Sequence, residues 1–314
     1  MIHTSLCDLL GISVPIFQGG MAHISDARLA AAVSEAGGLG IISAASRDGN
    51  FVREQIKLAR SLTSKPIGVN VMLMSPHIED VANVLAEEKI DVITTGAGNP
   101  AEHMEKWVNA GCKVIPVVAS SALGKMMERC GACAVIAEGG ESGGHIGEMA
   151  TMPLVPQVCS AVSIPVIAAG GIGDGRGMAA SLMLGAVGVQ IGTRFLVAEE
   201  CSVHPHYKDL VLKATDTSTI VTGRRLGHPV RSLKTPYSRK YAKAEYTDID
   251  DEALESLGIG SLRKAVIDGN ETEGCYLAGQ IAGLITKKQT CAEIIEEICR
   301  EAENCLMNAG RFII

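Results

Sequence analysis

Aromatic side chains are scarce in this chain: one tryptophan, five tyrosines and four phenylalanines make up 3% of its 314 residues. Any core must therefore be aliphatic, and an apolar content of 47% is enough for one large core. A basic excess is missing too. The formal charge of −7 argues against general binding of nucleic acid or anionic membrane, so neither partner is expected. No run approaches the roughly 20 uninterrupted apolar residues needed to cross a bilayer. The opening Met1-Ile-His-Thr-Ser-Leu-Cys-Asp8 also lacks the basic-then-apolar order of a leader, so a cytoplasmic location is the expectation. The ten cysteines are scattered, several of them (Cys112, Cys133, Cys159, Cys299) in or beside apolar segments, which reads as reduced thiols.

The chain does have a repeated unit. Short aliphatic runs recur at Val14–Gln18, Leu39–Ser43, Ile67–Leu73, Val92–Thr95, Val114–Val118, Ala134–Glu138, Val166–Ala169 and Val187–Ile191, with starts 20 to 32 residues apart. Each is followed by turn residues and a helix-like segment, such as Ala27–Ala36 ending at Gly37-Gly38, or the amphipathic Ile78–Glu88. Eight near-continuous apolar strands alternating with helices predict an α/β fold, a TIM (β/α)8 barrel over residues 1–198. From 199 to 314 the alternation is lost, which predicts a C-terminal, mainly helical extension with helices near Asp250–Ile267 and Thr290–Asn308. Within it, Thr217 to Ala244 carries seven basic residues and no acidic one.

In such a barrel the chemistry sits in the loops after the strands. Two of these suggest a phosphate cradle. Pro165-Val-Ile-Ala-Ala-Gly-Gly-Ile172 and Gly188-Val-Gln-Ile-Gly-Thr-Arg194 both run from buried strand into glycine, where bare main-chain N–H groups can approach an anion. The richest loop is Glu138–Gly147, in which five glycines surround His145 with two carboxylates and a serine. Histidine titrates near neutrality and can donate a proton or hydrogen bond to a developing enolate oxygen, so His145 is the catalytic candidate.

Taken together, Gln18-Gly-Gly-Met21, Gly68-Val-Asn70, Thr95-Gly-Ala-Gly98, Ala137-Glu-Gly-Gly-Glu-Ser-Gly-Gly-His-Ile-Gly147, Ala168-Ala-Gly-Gly171 and Gln190-Ile-Gly-Thr-Arg194 resemble the FMN-dependent enoyl-acyl carrier protein reductases of type II, relatives of the nitronate monooxygenases. The tail adds Ala278-Gly-Gln-Ile-Ala-Gly283. The resemblance implies FMN over the barrel mouth, reduced by NADH or NADPH and in turn reducing the C2–C3 double bond of a trans-2-enoyl thioester. It places the FMN phosphate against Gly171, Gly192 and Thr193, with Gly170 also among the cofactor-binding residues. Gln18, Gly19, Gly20, Met21, Ala22, Asn70, Glu138, Gly143, Gln190 and Ile191 would flank the rest of the cofactor. It also implies a homodimer. A monovalent cation would suit a carboxylate near the cofactor, but no ligand spacing demonstrates a metal. Glu138 and Ile146 favour the reductase, because the nitronate enzymes usually carry glutamine and arginine there.

An acyl carrier protein is acidic, so Arg224, Arg225, Arg231, Arg239 and Lys240 are candidates for docking it, or for contacting the dinucleotide. Two other functions compete: nitronate oxidation with O2 on the same flavin, and a flavin-free phosphosugar isomerase or aldolase. For the last, a Schiff-base lysine is wanted at a strand's far end, whereas Lys65 and Lys113 stand at strand starts. Cys130-Gly-Ala-Cys133 reads as structural, His204-Pro-His206 as surface histidines, Trp107 and Phe17 as packing residues, and Ala278–Leu284 as a close-packing helix.

Overall fold

A computed structural model describes residues 2–312. Its strands, in chain order, are β1 (Ile16–Gln18), β2 (Gly40–Ser43), β3 (Ile67–Met72), β4 (Val92–Gly96), β5 (Lys113–Val118), β6 (Val135–Glu138), β7 (Gly144–His145), β8 (Val166–Ala169), β9 (Gly188–Ile191), β10 (Thr219–Thr222) and β11 (Val230–Leu233). The eight apolar runs all become strands, within two residues of their expected limits. They form one parallel sheet in the order β1-β9-β8-β6-β5-β4-β3-β2. A parallel bridge from Phe17 to Leu39, with main-chain hydrogen bonds Gln18 N to Leu39 O (3.0 Å) and Leu39 N to Ile16 O (2.9 Å), closes the barrel between β1 and β2.

The runs are apolar throughout because both faces are buried. Phe17, Ile41, Val92, Ile115, Ile136 and Ile167 pack together in the barrel interior, while their neighbours Ile16, Ile42, Ile93, Val114, Val135 and Ala168 join the larger core under the helices. Burying such a side chain contributes about 1.5–3 kcal/mol. The helix Ser5–Leu10 plugs the barrel's N-terminal end, where Leu6, Cys7 and Leu10 join the interior cluster and Thr4 Oγ1 donates to Val187 O (2.6 Å).

After β9 a 3-10 turn, Thr193–Val197, leads the chain off the barrel. The extension beyond it is mostly helical, with one addition: β10 and β11 form an antiparallel hairpin inside the basic segment, and β11 pairs in turn with β7. Ala278–Leu284 is not an α-helix. Gly279 is extended and only a 3-10 turn, Gln280–Leu284, succeeds it. The last helix, Cys291–Met307, begins in a capping box of Thr290 and Glu293 and packs between helices Gly175–Met183 and Ala27–Glu35. A Cβ on Gly175 would stand 2.3 Å from Glu301 Cβ, so the glycine permits this approach. Arg194 secures it: its buried guanidinium meets the Gln289 side-chain oxygen, Lys287 O (3.4 Å) and Glu297 Oε2 (3.8 Å). The final helix thus completes the ring that began after β1, and residues between β9 and this helix lie across the barrel's other end. Among the described residues no helix is long and apolar enough to cross a membrane.

Candidate active site

A cavity of about 460 Å³ opens at the C-terminal ends of the barrel strands, within the ~300–1,000 Å³ range typical of small-molecule sites. Its walls come from the C-terminal ends of all eight barrel strands and the segments that follow them, and from Leu277, Gly279 and Ile281 of the returning chain. Of the residues expected at a site, Gly19, Gly20, Met21, Ala22, Asn70, Glu138, Gly143, His145, Gly170, Gly171, Gln190, Gly192 and Thr193 line this one cavity. Gln18 and Ile191 do not. The Gln18 amide is fully buried beneath the wall, donating to Ser25 Oγ (2.7 Å) and the Gly19 carbonyl and accepting from Ile41 N (3.1 Å). Ile191 packs into the outer core.

The floor is backbone. Gly170 and Gly171 adopt φ of 87° and 70°, the left-handed region glycine tolerates best, and a Cβ on Gly170 would lie 2.6 Å from Gly139 O. A Cβ on Gly192 would meet only Met21, at 3.8 Å, and would otherwise project into the cavity. Among the described residues the N–H groups of Gly171, Gly192 and Thr193 have no main-chain or side-chain acceptor, and Thr193 Oγ1 accepts from Gly279 N (2.9 Å). Bare donors with no side chain in front of them suit a phosphate, so the fold offers what the phosphate end of FMN requires. Opposite, Gly20 lies against Asn70, whose Oδ1 accepts from Thr94 Oγ1 (2.9 Å).

The loop after β6 is tied down at several points. The Glu141 carboxylate accepts from Thr151 N (2.9 and 3.0 Å) at the start of helix Thr151–Cys159, where the helix dipole favours negative charge. Gly143 crosses the main chain at Ala278-Gly279 so closely that a Cβ on it would be 2.7 Å from Ala278 C. His145 pairs with Val230, and Ile146 N donates to Pro229 O (3.0 Å). Arg231 of the same hairpin donates to Gly140 O through Nε (3.1 Å) and Nη2 (2.9 Å).

Two titratable groups in the cavity are displaced from their ordinary range. Burial pushes the Glu138 carboxyl up to about 7, partly opposed by the Ser142 hydroxyl that donates to its Oε1 (3.3 Å). Desolvation, with a smaller contribution from the neighbouring His228, lowers the His145 imidazole. Its neutral form therefore dominates at pH 7, with one ring N–H able to serve as donor.

The basic segment divides. Arg225 is committed to Thr247 O (3.1 Å), Ile249 O (2.6 Å) and Asp251 (2.9 Å), and Arg231 to Gly140, so two of the five residues expected at a docking face hold the fold instead. Arg224, Arg239 and Lys240 are exposed. Cys133 has its thiol pushed up to about 11 by burial, which disfavours a reactive thiolate. His206 pairs with Glu271 (3.0 Å), and no group of three metal-ligating side chains occurs among the described residues. No lysine lines the cavity, and Lys113 opens β5 at the opposite end. The contributions of Arg231, Leu277 and Gly279 escape sequence reading, though the glycines of Ala278–Gly283 already marked a close approach.

A family model described as nitronate monooxygenase matches residues 3–301. The structure is similar to that of FabK from Thermotoga maritima, with a TM-score of 0.98 and 48% identity over 100% of both chains. In sequence it is 32% identical to the (3aS,4S,5R,7aS)-5-hydroxy-7a-methyl-1-oxo-octahydro-1H-indene-4-carboxyl-CoA dehydrogenase of Mycobacterium tuberculosis, covering 99% of each. It is also 32% identical to a probable nitronate monooxygenase of Staphylococcus aureus, covering 90% of this chain and 92% of that protein. The chain belongs to the nitronate monooxygenase family, whose members, FabK among them, are FMN-dependent oxidoreductases.

Proposed function

We propose that this protein is a flavin-dependent enoyl-acyl carrier protein reductase, using NADH or NADPH to reduce the C2–C3 double bond of trans-2-enoyl thioesters during fatty acid elongation. The observation that carries the reading is that His145 and the bare main-chain N–H groups of Gly171 and Gly192 line one cavity, in a chain that matches FabK over its whole length. FMN bound there would supply the hydride for C3 of the substrate. The chain's own part is to hold and to donate. Main-chain N–H groups of Gly171, Gly192 and Thr193 would hold the phosphate, and Asn70, Gln190 and Glu138 would border the flavin ring and ribityl chain. Neutral His145 donates to the thioester oxygen as charge builds there, or passes a proton toward C2. The loops of Gly143 and Gly279 narrow the mouth and limit water. Arg224, Arg239 and Lys240, each exposed, would meet an acidic carrier protein.

Nitronate oxidation with O2 is the second reading, favoured by the family description and the S. aureus relative. Against it stand the carboxyl Glu138 and the name of the M. tuberculosis relative, which specifies a carboxyl-CoA substrate. A paired assay decides. NADH oxidation that depends on crotonyl thioester, falling about 100- to 1000-fold in His145→Ala, is the expected result. Oxygen uptake with propyl nitronate and no nicotinamide requirement would replace the reductase reading with the second. A colourless protein that takes up no FMN would end both.

A further inference from the structure

Just outside the cavity mouth, Arg47 meets His23, and the charge of a second arginine from a distant part of the chain, Arg263, bears on the same imidazole. His23 sits between Ala22 and Ile24, which both line the cavity, and it does not line the cavity itself. The turn that holds it is fixed by Ser25 N and Ile24 N donating to Met21 O (2.9 and 3.1 Å), and His23 is kept in the left-handed region at φ 61°. A non-glycine residue holds that conformation only where its surroundings fix it, which points to a use.

Arg47, two residues beyond the cavity-lining Ala45, brings Nη2 to 3.4 Å from His23 Nδ1 and lays its guanidinium 4.5 Å over the Phe51 ring. Among the described residues it forms no ion pair. Arg263, of the C-terminal extension, is near enough for its charge to bear on the same imidazole, and its side chain is 62% exposed. Among the described residues its ion pair is with Asp268, at 4.0 Å. The His23 imidazole is driven toward its neutral form by burial and by these two charges, so it can serve as a hydrogen-bonding partner without adding to the repulsion. Cations gathered at a rim with so little compensation are positioned for an anion that arrives with the ligand.

We propose that Arg47, Arg263 and His23 form a phosphate-binding subsite at the cavity mouth, taking the phosphate of a reactant whose reactive end lies inside. This rests on the reductase reading, in which both reactants carry such a group: the pyrophosphate of the nicotinamide dinucleotide and the phosphodiester that joins pantetheine to its carrier. Phe51 holds Arg47 ready, so little side-chain ordering remains to be done on binding.

The test combines kinetics with a measurement that needs no turnover. In Arg47→Gln/Arg263→Gln, KM for NADH rises about tenfold or more if the dinucleotide is the source. If pantetheine is the source, KM rises for crotonyl-CoA and not for the phosphate-free crotonyl-N-acetylcysteamine. Arg47→Lys, which keeps the charge and loses the planar fork, should fall between. Separately, calorimetric titration with inorganic pyrophosphate should show binding to the wild type weakened about tenfold in the double variant. Unchanged KM values for all three substrates, or pyrophosphate binding equal in both proteins, overturn the subsite. If no thioester-dependent NADH oxidation occurs while pyrophosphate binding still depends on the two arginines, the subsite stands and the reductase reading falls.

Discussion

Arg231 reaches 91 positions back along the chain to place two N–H groups on the carbonyl oxygen of Gly140, at 3.1 and 2.9 Å. That carbonyl belongs to the loop carrying His145, and the strand of Arg231 is the one with which His145 pairs. The histidine's position is therefore set from outside the barrel, by a hairpin that sequence composition presents only as basic.

Replacing Arg231 by alanine should lower thioester-dependent turnover about tenfold, since charge-assisted hydrogen bonds of this kind contribute about 1.5–3 kcal/mol and some of that goes into ordering the loop. Amide exchange at Gly144–Ile146 should quicken in parallel. If Arg231→Ala leaves both turnover and exchange unaltered, the hairpin does not position His145.

Gly192→Val would place a branched side chain where only open cavity lies beyond Met21. Folding, followed by far-ultraviolet circular dichroism, should be kept, while copurified flavin absorbance near the visible maximum should be lost. Retained flavin at normal stoichiometry would mean that the phosphate lies elsewhere.

Glu138 makes a prediction about pH. Its carboxyl titrates near 4.5 in the unfolded chain and about 7 in the native protein. Between those values the native state binds the extra proton, so the wild type loses stability as pH rises from about 4.5 to 7, by a few kcal/mol at most, and levels off above. Glu138→Gln removes the effect. Its melting temperature relative to wild type should therefore be more favourable at pH 8 than at pH 5; the same difference at both would show that the carboxyl titrates normally.

Gly143→Ala should destabilise the fold by about 1–3 kcal/mol, because the new methyl would stand 2.7 Å from the main chain of Ala278 and Gly279. A melting point lowered by several degrees checks it. Gly227→Ala, at a φ of 76° with open space around it, supplies the contrast: its cost is backbone strain alone.

The barrel was legible because its signal is local. Runs such as Val166–Ala169 are buried on both faces, so they are aliphatic from end to end and stop at turn residues. The glycine turn after β8 was legible for a related reason: Gly170 and Gly171 occupy backbone conformations that other residues adopt at a cost, and such glycines show in a sequence. The hairpin was not, because β10 and β11 are half-exposed, four residues each, and polar enough to pass for loop. Nor could sequence tell which motif residues turn inward. Gln18 and Arg194 both stand in motifs that meet the cavity, yet one stitches β1 to β2 and the other grips the final helix. Those directions depend on partners 23 and 95 positions away.

The seam between Gly279 N and Thr193 Oγ1 joins residues 86 positions apart. During synthesis all eight strands will have left the ribosome well before that seam can close. A nascent chain paused short of Gly279 would own all eight strands but neither the wall above the cavity nor the helix that completes the outer ring, so shortened products should emerge unable to retain flavin.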